Sequence, residues 1–425
     1  CSCAYNAAKL GLKTLIIEKS TCLGGAMTQG LVIPAMNTGK NLINTDFYEK
    51  LISEMQKYNA QITYQNNSGW FNPEILKIVL DKILTEYGVN ILFNTEISKI
   101  NINDKKIVSL YYHAENNMDL LSTYNYTIHT DNIKRKDKIL SEYIEARYYV
   151  DTTGDLNFSK KISCNFLEKK NKFQPISLRF IMSGVNLNIF GNWLLEQDSD
   201  RSVTTVENIN GQIHLSTAYT WDSDKHWALA KYFDSAVSAN DLKDADRNYF
   251  QVFTIAGMPN SVAFNCPRYH KSIDVTDNIQ LTNAIIECRQ MIWRISNFCK
   301  KYLKGFEDAY ISNISDFVGI RASRRIKGRY IYTIDDLRSG KKFENSVLIS
   351  NYPVDIHSVD KNSSRLETYG EYQLPIESLM SADYDNLFVA GRGLSADELA
   401  QGALRVQPNC FSMGEAVAKY IKSLF

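Results

Sequence analysis

The opening of the chain constrains its fold more than any other feature. An Ala-rich segment, Cys1 to Leu10, stops at Gly11, and the continuous apolar run Thr14-Leu15-Ile16-Ile17 then ends on the acid Glu18. A helix that packs closely on a sheet and closes on a glycine reads this way. So does a parallel strand buried on both faces. Helix, tight turn, buried strand and terminal acid form the second half of a βαβ unit in a doubly wound sheet. The first strand of such a sheet is central, and the glycine loop after it supplies the amides that hold a pyrophosphate. That strand and its GxGxxG loop are expected just ahead of Cys1, so the chain reads as truncated at its N-terminus. The rival reading, in which another segment fills that place, requires a compensating strand.

A chain of 425 residues is long enough for two packed domains. Asn72-Pro73 starts a helix whose apolar positions are Ile75, Leu76, Val79, Leu80, Ile83 and Leu84, and Gly88 ends it. Val89 to Phe93 follows as a strand, and residues 97–149 alternate as an antiparallel β-meander would. Arg147 to Asp151 returns to the buried-strand pattern and runs into Thr152-Thr153-Gly154-Asp155. Aromatic-rich strands, a long helix around Asn283 to Tyr302 and a basic stretch from Arg321 to Arg329 come next. The pattern Asn386 to Gly391 then restores the buried strand, and a helix from about Asn409 to Leu424 closes the chain. This order predicts an α/β protein in which a discontinuous Rossmann-like domain, residues 1–160 plus 361–425, is interrupted by an inserted α+β substrate or cap domain, residues 161–360.

Composition narrows the partners. A net charge of +1 sets up no long-range field for nucleic acid or an anionic membrane, and the cluster Lys134, Arg135, Lys136 reads as a solvated face. The eight cysteines form no CxxC pair and the six histidines never reach metal-ligand spacing, so no metal site is expected. No apolar run approaches the roughly 18 residues that a membrane span needs. No membrane role is expected, and a cytoplasmic location is.

Several residues carry candidate chemistry. Glu18 ends its strand where a carboxylate accepts both ribose hydroxyls of an adenosine, or is merely an exposed strand-end acid. Gly24-Gly25 either lets backbone pass close to a bulky ligand or makes an ordinary turn. Pro353 to His357 alternates as a strand, placing Asp355 and His357 on one face and Val354 and Ile356 on the other. An Asp that orients a His is a proton shuttle or a hydrogen-bonded structural histidine. If the basic stretch is helical, Arg321, Arg324 and Arg325 share a face and clamp a carboxylate or phosphate, or line a solvated surface. Cys410 opens the last helix, where a thiol pKa tends to fall; a small packed cysteine is the alternative.

The segments EKSTCLGGAMTQGLV, WFNPEILKIVLDKIL, VDTTGDL, GIRASRRIKGRY, YPVDIH and NLFVAGRGLSADELAQGALRVQPNCFSMGEAVA together span nearly the whole chain. They resemble the FAD-dependent oxidoreductase family of glutathione-reductase-type fold, which also includes the flavin module of heterodisulfide reductase. The resemblance implies noncovalently bound FAD. It places Glu18 on the adenosine ribose, Lys19 in the cofactor-binding set, and Gly24, Gly25 and Thr28 along the pyrophosphate and ribityl path. Gly154 would belong to an ATG-type turn, although Thr152 stands where that motif has Ala. Gly391 and Arg392 would border the ribityl chain, and Gly402 to Pro408, with Arg405 and Val406, would approach the isoalloxazine. Unpaired amides and a helix dipole there favour the anionic N1–C2=O2 edge of reduced flavin. Asn265 and Arg268 resemble polar substrate-side positions. Two-electron hydride transfer on a small organic substrate is the implied activity, with Asp355, His357, Arg321 and Arg325 as catalytic candidates. The alternatives are an electron-transfer flavoprotein serving an iron–sulfur partner protein, and a non-catalytic remnant of the fold.

Overall fold

The computed structural model describes residues 1–114, 142–168, 174–219, 227–357 and 365–425. The Lys134 to Lys136 cluster, the middle of the expected meander and the expected boundary at residues 360 and 361 lie outside the described residues.

Helix α1 (Ser2–Lys9) is followed by strand β1 (Leu15–Ile17), and Gly11 between them takes the left-handed φ of +80° that closes the helix. Helix α2 (Asp46–Lys57), strands β2 (Gln61–Tyr64) and β3 (Asn67–Phe71), helix α3 (Pro73–Glu86) and strand β4 (Asn90–Leu92) complete the first part. The Asn72 side chain accepts from the amides of Glu74 and Ile75, and Pro73 occupies the first turn, where its missing N–H costs nothing. Leu76, Val79, Leu80, Ile83 and Leu84 form the buried stripe of α3, which returns the chain so that β4 pairs in parallel with β1. Strands β5 (Thr95–Asn103), β6 (Lys106–Ala114) and β7 (Glu142–Glu145) make a three-stranded antiparallel sheet. Strand β8 (Tyr149–Asp151) and the short helix α4 (Asn157–Lys161) follow.

The inserted part holds β9 (Phe180–Ser183), α5 (Leu187–Gln197), β10 (Thr204–Ile209), β11 (Gln212–Tyr219), α6 (Ala230–Ser238), β12 (Phe250–Thr254), β13 (Ser261–Phe264), α7 (Asn278–Tyr302) and β14 (Tyr310–Ile314). Its six strands form an antiparallel sheet in the order β10-β11-β12-β13-β9-β14. The central strands are apolar on both faces because both are covered. Phe180, Met182, Phe250, Val252, Val262 and Phe264 pack under α5, α6 and α7. The intervening Ile181, Phe253 and Ala263 pack instead with Leu51 and Met55 of α2 and with Trp70 and Phe71 of β3. Each large side chain buried this way contributes about 1.5–3 kcal/mol relative to exposure, so the sheet welds the insertion to the first part of the chain.

The last part runs through α8 (Ile334–Arg338), β15 (Ser346–Ser350), β16 (Val354–Ile356), β17 (Arg365–Glu367), β18 (Tyr372–Pro375), β19 (Leu387–Val389), α9 (Glu398–Leu404) and α10 (Gln407–Ser423). Strand β19 pairs in parallel with β8, although more than two hundred residues of chain, roughly, separate them, as an insertion between strands of one sheet requires. Helix α10 packs against α1, with Gly414 seated on the backbone of Cys3. The architecture is α/β, a Rossmann-like domain carrying an inserted domain.

One element differs from its expectation. The Arg321 to Arg329 stretch is extended, not helical. Ile326 bridges Phe166 and donates to the Gly393 carbonyl at 2.9 Å, and Gly328 bridges Ser381. These long-range backbone bonds outweigh a local helix preference of a few tenths of a kcal/mol, roughly, per residue.

Candidate active site

Parallel α/β sheets bind ligands beyond the carboxyl ends of their strands. Two such ends are built for close approach. At the end of β1, the Glu18 carboxylate accepts from the amide and hydroxyl of Ser20 at 2.8 and 2.9 Å, which fixes its direction. Gly24 and Gly25 follow at φ +95° and +48°. A Cβ on Gly24 would stand 2.6 Å from Thr28 Cγ2, and fully buried Thr28 donates to the Leu23 carbonyl at 2.6 Å, so this turn requires glycine. Lys19 faces elsewhere: its ammonium lies 3.5 Å from Glu96 and its side chain is mostly exposed.

At the end of β8, buried Asp151 accepts from the amides and hydroxyls of Thr153 and Ser159, folding the chain around Gly154 at φ +76°. A Cβ on Gly154 would lie 3.0 Å from the guanidinium of Arg392, which pairs with Asp155 at 2.6 Å. Gly391, at φ +106°, continues from the neighbouring β19. The structure thus brings Gly154, Gly391 and Arg392 together, with the Arg392 Nε buried and unpartnered.

The third surface is the junction of α9 and α10. A Cβ on Gly402 would meet Ile356 Cδ1 at 2.6 Å and the Asp355 carbonyl at 3.2 Å, so glycine lets α9 lie directly on β16. Arg405 donates to the Asp355 carbonyl at 3.0 Å and stands 3.5 Å from its carboxylate. Val406 caps α10 with no side-chain acceptor, and Pro408 sits in the first turn. The first amides of this helix therefore carry no capping side chain. Cys410 does not become a reactive thiolate there. Burial pushes its thiol up to about 12, against the opposing charges of Arg392 and Arg405, and its sulfur lies 3.4 Å from the Arg405 carbonyl.

Strand β16 presents Asp355 and His357 on one face, with Val354 buried on the other. His357 Nε2 lies 3.2 Å from Asp355 Oδ2. Burial, then the charges of Arg321 and Arg268, lower the His357 pKa to about 3 against the pull of Asp355. Burial alone would raise the Asp355 carboxyl, but the His357 hydrogen bond and the charges of His357, Arg405 and Arg321 together hold it well below the usual range. The pair is a carboxylate and a neutral imidazole at physiological pH. Nε2 therefore carries the ring proton toward Asp355, and Nδ1 is the accepting atom.

Both depressed pKa values give stability that is present above the unfolded values and lost on acidification. For His357 the loss runs from about pH 6.5 down to about 3. Thermal melting followed from pH 7 to 4 should show the wild type losing more stability than His357→Asn; equal slopes would exclude this contribution.

Of the three arginines expected on one helix face, only Arg321 joins this site. It donates to the Pro175 carbonyl at 2.6 Å, and its positive field reaches Asp355 and His357. Arg325 instead holds the Ala396 and Glu168 carbonyls, beside Glu398, and Arg324 binds the Asp155 carbonyl. Arg325 is thus a structural tie between segments. The charge of Arg268 also reaches Asp355 and His357, and its guanidinium carbon stands 3.3 Å from the centre of the Tyr249 ring. Arg179 was missed; the available signal was a charge inside the apolar run Leu178-Arg179-Phe180-Ile181. Ser20, which aims Glu18, was missed as well.

A cavity of about 590 Å³ opens among Arg147, Tyr148, Phe388, Tyr420 and Leu424. It lies at the amino ends of β8 and β19, opposite the glycine turns, and is not where this fold binds ligands. Among the described residues no cluster of His, Cys, Asp and Glu could hold a metal ion, and no helix is long and apolar enough to cross a membrane.

The sequence model described as FAD dependent oxidoreductase matches residues 1–422. The chain belongs to this family. FAD is accordingly its cofactor, and the glycine turns, the oriented Glu18 carboxylate and the uncapped start of α10 fit the parts of that molecule. No curated protein matches the chain. Among solved structures, it is similar to a geranylgeranyl bacteriochlorophyll reductase-like protein from Thermoplasma acidophilum, at TM-score 0.45 and 11% identity, over 99% of this chain and 75% of that one. It is also similar to p-nitrophenol 4-monooxygenase PnpA from Pseudomonas putida DLL-E4, at TM-score 0.43 and 8% identity, over 99% and 75% of the two chains. A flavoprotein/dehydrogenase from Cytophaga hutchinsonii matches at TM-score 0.41 and 11% identity, over 99% and 76%. Likenesses of this size carry no reaction over to the FAD oxidoreductase described here.

Proposed function

We propose that this FAD-dependent oxidoreductase transfers a hydride between the flavin and a small organic substrate held beside Asp355 and His357. The observation that carries the reading is the seat of β16: Gly402 and Arg405, from the segment the resemblance assigns to the isoalloxazine, contact Asp355 directly. A proton-transfer pair next to that segment is what hydride chemistry on an alcohol or amine needs.

FAD, when bound, supplies the two-electron acceptor or donor. Glu18 would hold the adenosine ribose, and Gly24, Gly25, Thr28, Gly154, Gly391 and Arg392 would let backbone and one guanidinium approach the diphosphate and ribityl chain. Val406 and Pro408 open the helix whose positive end would favour the flavin edge. On the substrate side, Asp355 accepts a hydrogen bond from His357 Nε2–H and orients the ring. His357 Nδ1 then takes the proton of a substrate hydroxyl as the hydride leaves the adjoining carbon. Arg405 holds Asp355 through both its carbonyl and its carboxylate, keeping the pair in register.

The test is anaerobic mixing of the FAD-loaded protein with hydroxy acids, amino acids and alcohols. Direct bleaching of the visible flavin band by one of these donors, slowed when its transferred hydrogen is deuterium, is the expected result. Bleaching only by one-electron donors would replace this reading with electron transfer to a partner protein.

A further inference from the structure

The charges of Arg268 and Arg321 reach Asp355, that of Arg179 reaches Arg321, and all three guanidinium groups have more donors than the fold uses. Arg179 and Arg268 are 8% and 6% exposed, yet Arg179 Nε and Nη1 and Arg268 Nε have no hydrogen-bond partner. Arg321, 7% exposed, spends one donor on the Pro175 carbonyl. Burying a guanidinium without an acceptor is costly, and an anionic ligand would offset that cost.

The backbone is shaped to hold them. Ser177, two residues ahead of Arg179, bridges both Arg268 and Gly319, which draws the three segments together. A Cβ on Gly319 would lie 2.6 Å from Arg179 Nη1, so that glycine makes room for the guanidinium. The Arg268 guanidinium carbon stands 3.3 Å from the centre of the Tyr249 ring, a cation–π contact that holds the group in place while its Nε stays without a partner. Arg405 adds a fourth positive charge, and Asp355 is the carboxylate among them. Burial first, then the charges of Arg268, Arg179 and Arg405, lowers the Arg321 pKa well below its ordinary value.

We propose that the substrate is a small, multiply charged organic oxyanion, with carboxylate or phosphate groups bound by Arg179, Arg268 and Arg321 beside His357. This rests on the reading of the Asp355–His357 surface as the substrate site and names the class of molecule it takes. An oxyanion there pairs the orphaned donors in the bidentate geometry that guanidinium favours. It also offsets the positive charges of Arg321 and Arg268, which after burial are what hold His357 weakly basic.

The experiment titrates the FAD-loaded protein at low ionic strength with succinate, citrate, inorganic phosphate and neutral succinamide, following heat and the visible flavin band. The anions bind and succinamide does not. Preference for succinate or citrate assigns carboxylates, and preference for phosphate assigns a phosphate ester. Arg179→Gln weakens the anion by about 100-fold, and without ligand it melts no lower than wild type, because a buried unpaired charge has been removed. If that variant does not fold, the contrast between succinate and succinamide on the wild type decides alone. Equal binding of succinamide, no binding of any anion, or an unchanged affinity in Arg179→Gln overturns the proposal. Because binding is read without turnover, such a failure leaves the hydride-transfer reading standing, and absent flavin reduction by organic donors leaves this one standing.

Discussion

Replacing His357 by glutamine is expected to slow substrate-dependent flavin reduction by about 100- to 10,000-fold, the range for loss of a positioned general base. The glutamine amide can still donate to Asp355, so the carboxylate next to Arg405 keeps a partner. What disappears is the Nδ1 lone pair, and with it the group that takes the substrate proton. Stopped-flow reduction of the FAD-loaded variant separates the two roles: a catalytic His357 lowers the limiting rate while the concentration dependence stays near that of the wild type. The bound flavin spectrum should be unchanged. Wild-type reduction rates in the variant across pH 6 to 9, roughly, would leave His357 as a structural histidine.

The second large effect is on the cofactor. Glu18→Ala should raise the FAD dissociation constant by about 100-fold, from loss of roughly 3 kcal/mol in hydrogen bonds to a charged acceptor. The carboxylate is aimed by Ser20 and sits at the end of β1, so on the proposed reading its removal would take an interaction with the adenosine half of the molecule only. Equilibrium dialysis reads the loss, and ADP, which carries the same ribose, should lose its ability to compete. Unchanged FAD affinity would remove Glu18 from the ribose and leave it as a turn-forming acid.

The parts of this fold legible in the sequence are those whose signal is local. Gly11 after α1, Asn72-Pro73 before α3 and the uninterrupted apolar runs of β1, β8 and β19 declare themselves within a few residues, because capping and two-sided burial act at that range. The alternation of Val354, Asp355, Ile356 and His357 likewise placed the acid and the imidazole on one face. Misreadings arose where distant segments decide. Arg321 to Arg329 contains good helix formers, but backbone bonds to Phe166 and Gly393 hold it extended and send its arginines apart. Lys19 is turned aside by Glu96. Arg179 and Arg268 become neighbours only through the bridges of Ser177, a pairing of strand ends that no local pattern encodes. The two-sided burial of the inserted sheet was similarly hidden, since it depends on where α2 and β3 come to rest.

The visible absorption spectrum of the purified protein is the most direct test of FAD binding. The account predicts a flavin spectrum, with stoichiometric FAD released into solution when the protein is denatured. A protein that is purified without flavin, and takes up none when FAD is added, would contradict it.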